Sequence, residues 1–492
     1  MNAQSPSRFP SATFWTGRPA QALLLALLCL TLGAKPPAAL TQQIDQIMEG
    51  PASSATTWGI YIKDLHTGEV LYNRNGEKAF MPASNQKLLT TAAALDALGA
   101  DFRYQTKLHF IGKVRGSVLD GDLVIQGSGD PTLGSIEMGG QDPLRQWAQA
   151  LKQIGVTQIQ GRIIGDDDVF DDRPYAEGWD IDYITNQSSR SLGVSAGGLS
   201  YRDNVIDVQF TSGPVGSPPE VRTTIADYLR IRNLATTSSR RRGWALNIQR
   251  GFDDVITLTG SLPRSYQSTI SMPVANPTTY ALHSFQQYLR QAGIEVDGEL
   301  VDIDDLPEPP DYDKAQLLFV HFSPPLAQII SVLNKESNNF YAEQVFRTMA
   351  YGGSAAGGER RVKALLARAG VSDPSISIRD GSGLSRKDLI TPRAMVELLH
   401  YMATHPQREP FISSLAQGGE VRSTLRGRLG GMPVQAKTGS LEFVRTLSGY
   451  TIGANGHPIA FAVFANHFTG PSYQITQTID QIVRTVTKGA ST

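Results

Sequence analysis

The amino-terminal part of the chain alternates hydrophobic and polar positions, and then changes to the spacing of a helix. In residues 57–80 the alternation turns at HTGE, residues 66–69, which predicts a β-hairpin. Residues 81–100 read MPASNQKLLTTAAALDALGA, with Pro82 placed where proline favours a helix entry. The apolar side chains that recur there at helical spacing are Leu88, Leu89, Ala92, Ala93, Leu95 and Leu98. The pattern therefore predicts a hairpin followed directly by a helix.

The middle of the chain has a different pattern of hydrophobic, polar and glycine residues. From about Phe102 to about residue 300, short strand-like segments are separated by glycines. A link rich in proline and aspartate follows at 301–315, and helical spacing returns at 323–352. The chain ends in two strand-like segments and a final helical one. This order predicts an α/β (α+β) fold with a large β-rich insertion of one or two extra domains.

Two segments of the middle part resemble each other. LKQIGVTQIQGRIIGDD (151–167) and LRQAGIEVDGELVDID (289–304) each predict a helix end, a glycine and a strand. They are either paired units of one inserted domain or two independent copies of a common helix–glycine–strand connection. The first interpretation gives an inserted domain of 105–190 and 271–304, with a nested domain at 191–270. The flanking domain is then built from 40–104 and 305–492.

Length and charge narrow the class of protein. A chain of 492 residues with 40% hydrophobic residues predicts two or three domains. Lysine and arginine number 45 against 46 acidic residues, so the charge balance does not indicate a polyanion-binding protein. The densest basic run, residues 240–242, lacks an accompanying nucleic-acid motif and predicts a solvated loop. We therefore expect no nucleic-acid partner.

The amino terminus predicts export. Arg8 and Arg18 precede the apolar run ALLLALLCLTLGA (22–34), as in a secretory signal, here assigned to residues 1–39. The run is too short to span a bilayer comfortably, although an uncleaved anchor remains an alternative. Cys29, the single cysteine, lies within this run, so the mature chain would have no thiol. We expect a periplasmic or otherwise exported protein with at most peripheral membrane association.

Ser84 and Lys87 form a candidate nucleophile and base. Residues three apart on a helix share one side, so the amine can reach the hydroxyl. The N–H groups at a helix start also face any oxyanion that develops there. Serine needs a base, and a lysine with a lowered pKa can supply one. The alternative is a capping serine followed by a surface lysine.

Two further motifs support the catalytic interpretation. Only Lys87 among the thirteen lysines has a serine three places earlier, and only Asn339 among the asparagines has a serine two places earlier, Ser337. The tripeptide KTG occurs once, at Lys437. The order SxxK, SxN, KTG belongs to penicillin-binding proteins and class A β-lactamases.

The sequence resembles the low-molecular-mass penicillin-binding proteins of peptidase family S13, which are D-alanyl-D-alanine carboxypeptidases and endopeptidases. The likeness extends to QGSGDPTL (126–133), GWDIDY (178–183) and DGSGLSR (380–386). It implies a serine DD-peptidase/β-lactamase-like domain with the insertion in its middle. It also implies a metal-free, cofactor-free hydrolase that acts on peptidoglycan stem peptides and is acylated by β-lactam antibiotics.

The resemblance also implies a role for each motif residue. Ser84 would be the nucleophile and Lys87 its general base. Ser337 and Asn339 would relay a proton to the leaving amine and hold the substrate amide, while Lys437 would supply positive charge. The substrate would lie along Thr438, Gly439 and Ser440, with its terminal carboxylate at Thr438. The backbone N–H groups of Ser84 and Ser440 would form the oxyanion hole.

Two more residues are implied at the amino end of the stem peptide. Asp182, three residues after Trp179, and Arg386, which follows DGSGLS, match the family's pattern there. A tyrosine that the family places nearby is replaced by Gln187 or shifted. Surface salt bridges are the alternative role for Asp182 and Arg386.

Other classes of enzyme have weaker support. GVSAG, with Ser195 at its centre, matches the nucleophile elbow of α/β-hydrolases, but no strand is predicted before it. His400 and His405 lack the HExxH pattern of zinc peptidases. A β-lactamase is disfavoured by the long insertion, and a non-catalytic cell-wall module only by the intact motifs. The balance between carboxypeptidase and endopeptidase activity stays open.

Overall fold

The computed structural model describes residues 38–489 except 51–53, 140, 186–194, 227, 252 and 351. The predicted signal peptide, including Cys29, lies outside these residues apart from positions 38 and 39. The helices are α1 (Ala38–Met48), α2 (Gln86–Leu98), α3 (Pro143–Gln153), α4 (Ile181–Thr185), α5 (Pro277–Gln291), α6 (Leu326–Lys335), α7 (Asn339–Thr348), α8 (Ala355–Arg368), α9 (Pro392–Thr404), α10 (Arg408–Ser413) and α11 (Ser472–Lys488). Within the described part of the chain, no helix combines the length and apolarity needed to cross a bilayer.

The strands come from all parts of the chain. They are β1 (Thr57–Asp64), β2 (Val70–Arg74), β3 (Gln105–Arg115), β4 (Val118–Gln126), β5 (Gln158–Ile159), β6 (Ile163–Asp166), β7 (Val205–Thr211), β8 (Glu220–Thr223), β9 (Arg230–Asn233), β10 (Thr236–Ser238), β11 (Ala245–Arg250), β12 (Val255–Pro263), β13 (Gln267–Pro273), β14 (Glu295–Val296), β15 (Leu300–Asp302), β16 (Gln316–Phe322), β17 (Ala416–Gln417), β18 (Gln435–Leu441), β19 (Val444–Ile452) and β20 (Pro458–Asn466). They group into separate sheets, and two of these sheets combine strands from distant parts of the sequence.

The main sheet joins the two ends of the described chain. Its antiparallel order is β17-β18-β19-β20-β1-β2, so the early hairpin pairs with strands near the carboxyl terminus. The predicted hairpin is confirmed, with Ile60 opposite Arg74 and Lys63 opposite Val70. Both faces of β20 are buried, which accounts for its unbroken apolar sequence.

Helices cover both faces of the main sheet. Side chains of α1 and α11 pack on one face, against Phe461 and Val463 of β20. On the other face, α2, α6, α7, α8 and α9 pack against Ala462 and Phe464. The predicted helix near residue 90 is α2, and its residues 86–95 are all buried. This layering places the amino-terminal end of α2 beside β18, where the SxxK and KTG motifs meet.

The repeated segments of the middle region lie side by side. Strand β5 pairs in parallel with β14, and β6 pairs in parallel with β15. Their helices α3 and α5 share one hydrophobic core, which includes Trp147 and Phe285. The resemblance between the two segments therefore reflects paired units of one sheet.

Strand pairing crosses two of the boundaries expected from the sequence. Strand β16 lies beyond residue 305, yet it pairs with β3 in the sheet of the middle region. The chain returns to the peptidase layers at α6. Strand β13 pairs with β7 as far as Pro273, slightly past the predicted end of the nested region at 270. The nested strands otherwise form two small sheets, β13-β7-β8 and one built from β9 to β12.

Candidate active site

Ser84 lies in a short 3-10 turn, Ala83–Asn85, that leads into α2. Ala83 has a left-handed backbone with a φ of 47°, a conformation that non-glycine residues rarely adopt outside functional sites. The turn is tied to the main sheet because Asn85 Nδ2 donates to the Lys437 carbonyl at 2.8 Å. Thr446 Oγ1 also donates to the Pro82 carbonyl at 2.8 Å. Ser84 is thus fixed against β18 while remaining partly exposed.

Lys87 is fully buried, and its amine lies among three oxygen atoms. The distances from Nζ are 3.0 Å to Ser84 Oγ, 2.6 Å to Asn339 Oδ1 and 2.5 Å to the Ser382 carbonyl. Burial lowers the pKa of Lys87 to about 7, although nearby carboxyl groups, Asp380 first among them, oppose that shift. A substantial fraction of Lys87 is therefore neutral near pH 7.

The neutral form of Lys87 has the geometry of a base. A neutral amine has two N–H donors and one lone pair. The Asn339 and Ser382 oxygens accept both donors, which directs the lone pair at the hydroxyl proton of Ser84. Ser84 and Lys87 therefore form a hydrogen-bonded pair, and because Lys87 is fully buried, the alternative of a surface lysine is wrong.

The SxN and KTG motifs meet next to this pair. Lys437 is fully buried, and its Nζ donates to Ser337 Oγ at 2.9 Å and to the Thr438 carbonyl at 2.9 Å. Burial, with the charge of Lys87 adding to it, holds the pKa of Lys437 well below its ordinary value. Because Ser337 Oγ accepts from Lys437, its own proton is free to point elsewhere.

The middle residue of the SxN motif has a structural task. Asn338 caps α7, since its Oδ1 accepts from the Tyr341 N–H at 3.0 Å. The cap starts the helix at Asn339, so that this side chain reaches Lys87. Ser337, just before the cap, has a left-handed φ of 61°. The backbone thus turns sharply between the side chain that contacts Lys437 and the one that contacts Lys87.

The KTG strand runs directly past the nucleophile. Gly439 is buried, and a Cβ atom there would lie 2.8 Å from the Pro82 carbonyl and 3.1 Å from the Ser84 nitrogen. Only glycine allows β18 to approach the turn this closely. Thr438 is 8% exposed, whereas Ser440 at the open end is exposed. The approach brings the Ser84 N–H to the edge of the strand that carries Thr438 and Ser440.

Arg386 lies on a polar surface formed with the inserted domain. Its Nε donates to Asp180 Oδ2 at 2.8 Å, and its Nη2 lies 3.5 Å from Glu442 Oε2. Asp182 is exposed two residues further along, on α4. Tyr183 packs against the small hydrophobic cluster that contains Ala83. It also lies close enough to Arg386 for the guanidinium to influence the pKa of the Tyr183 hydroxyl. Gln187 lies outside the described residues.

Sequence reasoning missed the acidic groups behind Lys87. Asp380 is fully buried and accepts the backbone N–H groups of residues 383, 384 and 385 at 2.6 to 2.9 Å. These bonds fold the DGSG segment so that the Ser382 carbonyl faces Lys87. Trp179 Nε1 donates to the same carboxylate at 2.7 Å. The segment DGSGLSR was noticed only as part of the family likeness, although aspartate followed by glycine and serine is a common loop signal.

The competing motifs form no reactive site in the described residues. Ser195 is fully buried, and its hydroxyl donates to the Val274 carbonyl at 2.8 Å. Gly193 and Val194 of the same motif lie outside the described residues. The two histidines face different carboxylates: His400 is 3.7 Å from Glu397, and His405 is 3.4 Å from Asp96.

Comparison with known proteins places this geometry in a family. The model of the D-Ala-D-Ala carboxypeptidase 3 (S13) family matches residues 40–488. A D-alanyl-D-alanine carboxypeptidase of Actinomadura sp. (strain R39) is 33% identical over 485 residues, covering 92% of this chain and 88% of that protein.

Solved structures of similar proteins support the same family assignment. The crystal structure of penicillin binding protein 4 (dacB) from Haemophilus influenzae is similar with a TM-score of 0.77 at 25% identity, covering 91% of this chain and 99% of that one. A second structure of that protein, complexed with a novel β-lactam, has a TM-score of 0.72 at the same identity and coverage. These likenesses confirm the predicted fold class. The chain belongs to the D-Ala-D-Ala carboxypeptidase 3 (S13) family and is a serine DD-peptidase, a hydrolase.

Proposed function

We propose that the protein cleaves peptidoglycan stem peptides on the carboxyl side of a D-alanine through an acyl-enzyme on Ser84. The observation that carries this proposal is the short network Ser84–Lys87–Asn339, in which a buried amine with a lowered pKa can take the hydroxyl proton of Ser84. The known relatives support the substrate class, because the Actinomadura protein bears the name of a D-alanyl-D-alanine carboxypeptidase.

In the first step, the neutral amine of Lys87 accepts the hydroxyl proton of Ser84. Ser84 Oγ attacks the carbonyl carbon of the penultimate D-alanine, and the carbonyl π electrons move onto its oxygen. The backbone N–H groups of Ser84 and Ser440 stabilise that oxyanion. One donor of this kind contributes about 3–4 kcal/mol to transition-state stabilisation.

In the second step, the tetrahedral intermediate expels the terminal amino acid. Ser337 donates its proton to the leaving nitrogen, because its oxygen already accepts from Lys437. The proton that Lys87 took from Ser84 restores the hydroxyl of Ser337. Water then attacks the ester of the acyl-enzyme, and the same groups transfer protons in the reverse direction. This step releases the shortened peptide and free Ser84.

The carboxylate end of the substrate lies at the KTG strand. Thr438 offers a hydroxyl and Lys437 a nearby amine, the groups that a free terminal carboxylate needs. An approaching carboxylate favours the protonated form of Lys437, against the burial that disfavours it in the free enzyme. Asp182 and Arg386 remain the proposed contacts for the amino end of the stem, with Asp180 already bound to Arg386.

Three finer features belong to the same proposal. β-Lactam antibiotics acylate Ser84, as the β-lactam complex of the Haemophilus influenzae protein suggests. The protein is exported after removal of residues 1–39 and acts in the cell wall. The chain is organised as a peptidase domain interrupted by an inserted and a nested domain, with the junction after β16 rather than at residue 305.

The test uses purified muropeptides and mass spectrometry of the products. Release of D-alanine from pentapeptide stems shows carboxypeptidase activity, and separation of cross-linked dimers into monomers shows endopeptidase activity. Ser84→Ala serves as the control in each case. If the wild-type protein leaves both substrates intact while remaining folded, the proposed function is wrong.

A further inference from the structure

Helix α7 presents three buried polar residues along one side. Asn339, Glu343 and Arg347 follow each other at four-residue spacing, so they lie on the same face of the helix. Asn339 contacts the amine of Lys87. Arg347, two turns later, binds Asp171 of the inserted region at 2.8 Å. Glu343 lies between these two contacts and is 1% exposed, and the proposed mechanism assigns it no role.

Glu343 holds the peptide segment that contacts Lys87. Its Oε1 accepts the N–H groups of Gly381 at 2.8 Å and of Ser382 at 2.9 Å. The carbonyl of Ser382 in turn accepts from Lys87 Nζ at 2.5 Å. One carboxyl oxygen therefore fixes the orientation of an acceptor that Lys87 needs. The other oxygen, Oε2, is buried and has no hydrogen-bond partner in the described part of the chain.

The other charged groups near Lys87 are arranged differently. Asp380 is bound by the N–H groups of its own loop, and Asp388 accepts from the Arg379 N–H at 2.6 Å. Among the carboxyl groups that influence Lys87, Glu343 alone accepts the N–H of Ser382 within the described structure. On the opposite side, the buried amine of Lys437 is the basic neighbour, and burial together with the charge of Lys87 lowers its pKa.

The charge of Glu343 is also coupled to that of Lys87. Burial raises the pKa of Glu343 to about 8, with Asp380 adding to the shift and Arg347 opposing it. An ionised Glu343 favours the ammonium form of Lys87. Because both groups titrate in the same pH range, their proton losses belong to the pair.

We propose that Glu343 is a positioning residue that holds the Ser382 carbonyl on Lys87 and helps to set the pH at which Lys87 becomes a neutral base. This inference rests on the proposed role of Lys87 as the general base.

Two substitutions separate the two parts of this role. Glu343→Gln keeps the shape and the oxygen that accepts both N–H groups, but it removes the charge. Because the pKa of Glu343 is about 8 and that of Lys87 about 7, Glu343 is only partly ionised while Lys87 loses its proton. The loss of this partial charge should move the acid limb of the acylation profile slightly to lower pH. Glu343→Ala also removes the oxygen that accepts the N–H groups of Gly381 and Ser382. The acylation rate should then fall about ten- to a hundredfold across the whole pH range.

The matched control is Gln344→Ala on the same helix. Gln344 is equally buried, but its Nε2 donates to the carbonyls of Gly129 and Gly197 in the inserted region, at 3.2 and 3.0 Å. Its removal disturbs the helix packing without touching Lys87 or its loop. If the helix packing alone mattered, Gln344→Ala should change acylation in the same way as the Glu343 variants. A shift of the acid limb of the pH profile should not appear in Gln344→Ala.

The experiment measures the rate constant of acylation by benzylpenicillin from about pH 5 to about pH 9 in the wild type and the three variants. The titration of the Lys87 side chain in unliganded protein is followed in parallel by NMR with 13C-labelled lysine, assigned through Lys87→Met. We expect Glu343→Gln to move both the acid limb of the acylation profile and the midpoint of the Lys87 titration to lower pH. Gln344→Ala should change neither of them.

The inference is overturned if Glu343→Gln leaves the Lys87 midpoint where it is in the wild type, or if Gln344→Ala shifts it equally. The NMR titration is independent of acylation. A wild-type protein that forms no Ser84 adduct would overturn the proposed function, while the titration would still decide whether Glu343 controls Lys87. If Glu343→Ala fails to fold, the isosteric Glu343→Gln still decides the question.

Discussion

Ser84 and Ser195 each lie in a motif that is typical of a nucleophile, and the structure gives them opposite surroundings. Ser84 is partly exposed and faces a buried amine at 3.0 Å. Ser195 is fully buried, and its hydroxyl donates to a backbone carbonyl. In addition, Asn204 Nδ2 donates to the Ser195 carbonyl at 2.7 Å, so this segment is fixed as part of the core of the inserted region.

The difference shows which features make a serine reactive. Both serines are held rigidly by neighbouring polar groups, so rigidity does not distinguish them. Of the two, only Ser84 faces an amine whose pKa is lowered towards neutrality and has an open side from which a substrate can approach. The hydroxyl proton of Ser195 is instead engaged by an acceptor that cannot remove it. The following predictions test this contrast, beginning with the largest expected effect.

Ser84→Ala should abolish acylation by penicillin completely, because the oxygen that forms the ester is absent. Intact-mass analysis after exposure to the drug should show the adduct on the wild type and none on the variant. Peptide mapping of the wild-type adduct should place it on Ser84. An adduct mapped to Ser195 would contradict the contrast drawn here and would support the nucleophile-elbow hypothesis.

The pH dependence of catalysis should report on Lys87. In the proposed mechanism the neutral amine is the base, so kcat/KM should fall as the pH drops through about 7, the value to which burial lowers the pKa of Lys87. Below that pH the loss should approach about tenfold per pH unit. The measurement is a pH–rate profile on a D-Ala-D-Ala peptide, with protein stability checked at each pH. A rate that stays constant down to about pH 5 would rule out Lys87 as the base.

The contact between Ser84 and Lys87 could be predicted from sequence because it depends on a short spacing. Ser84 and Lys87 are three residues apart, and helical geometry alone brings them together. The SxN and KTG motifs lie far away in the chain, and the sequence could connect them only through a family likeness. Their convergence depends on β18 lying against the turn that carries Ser84, and the single glycine of KTG permits that approach.

The residues that escaped prediction owe their roles to long-range packing. Glu343 is one acidic residue in an amphipathic helix, and nothing in its neighbourhood along the chain indicates that it will be buried beside residues 381 and 382. Strand β16 follows a link rich in proline and aspartate that is typical of a domain boundary, yet it pairs with β3, which lies about two hundred residues earlier. The ion pair of Arg386 with Asp180 likewise depends on how two regions meet.

Thr438→Val should lower kcat/KM on a D-Ala-D-Ala peptide by about ten- to a hundredfold. The change keeps the shape of the side chain and removes the hydroxyl that binds the terminal carboxylate. A hydrogen bond to a charged group contributes about 1.5–3 kcal/mol, which corresponds to that factor. The measurement compares wild type and variant under identical conditions.

A substrate amidated at its carboxyl terminus provides the control for this prediction. It should be poor for the wild type and should lose little further in Thr438→Val, because the interaction is already absent. Equal losses on the free and the amidated peptide would mean that Thr438 does not recognise the carboxylate. The four rates together isolate the contact between one hydroxyl and one carboxylate.

Ser195→Ala should have the smallest effect, and it should affect stability rather than activity. The Val274 carbonyl loses its hydrogen-bond donor in a buried site, which should lower the free energy of unfolding by about 1 kcal/mol. Acylation of Ser84 and kcat/KM should remain within about twofold of the wild type, since the partner of Ser195, Val274, belongs to a different hydrophobic cluster from the side chains of α2. Denaturant unfolding, followed by a probe in the inserted region, measures the first quantity, and peptide hydrolysis measures the second. A large loss of activity with unchanged stability would show that Ser195 takes part in catalysis, and the contrast between the two serines would then be wrong.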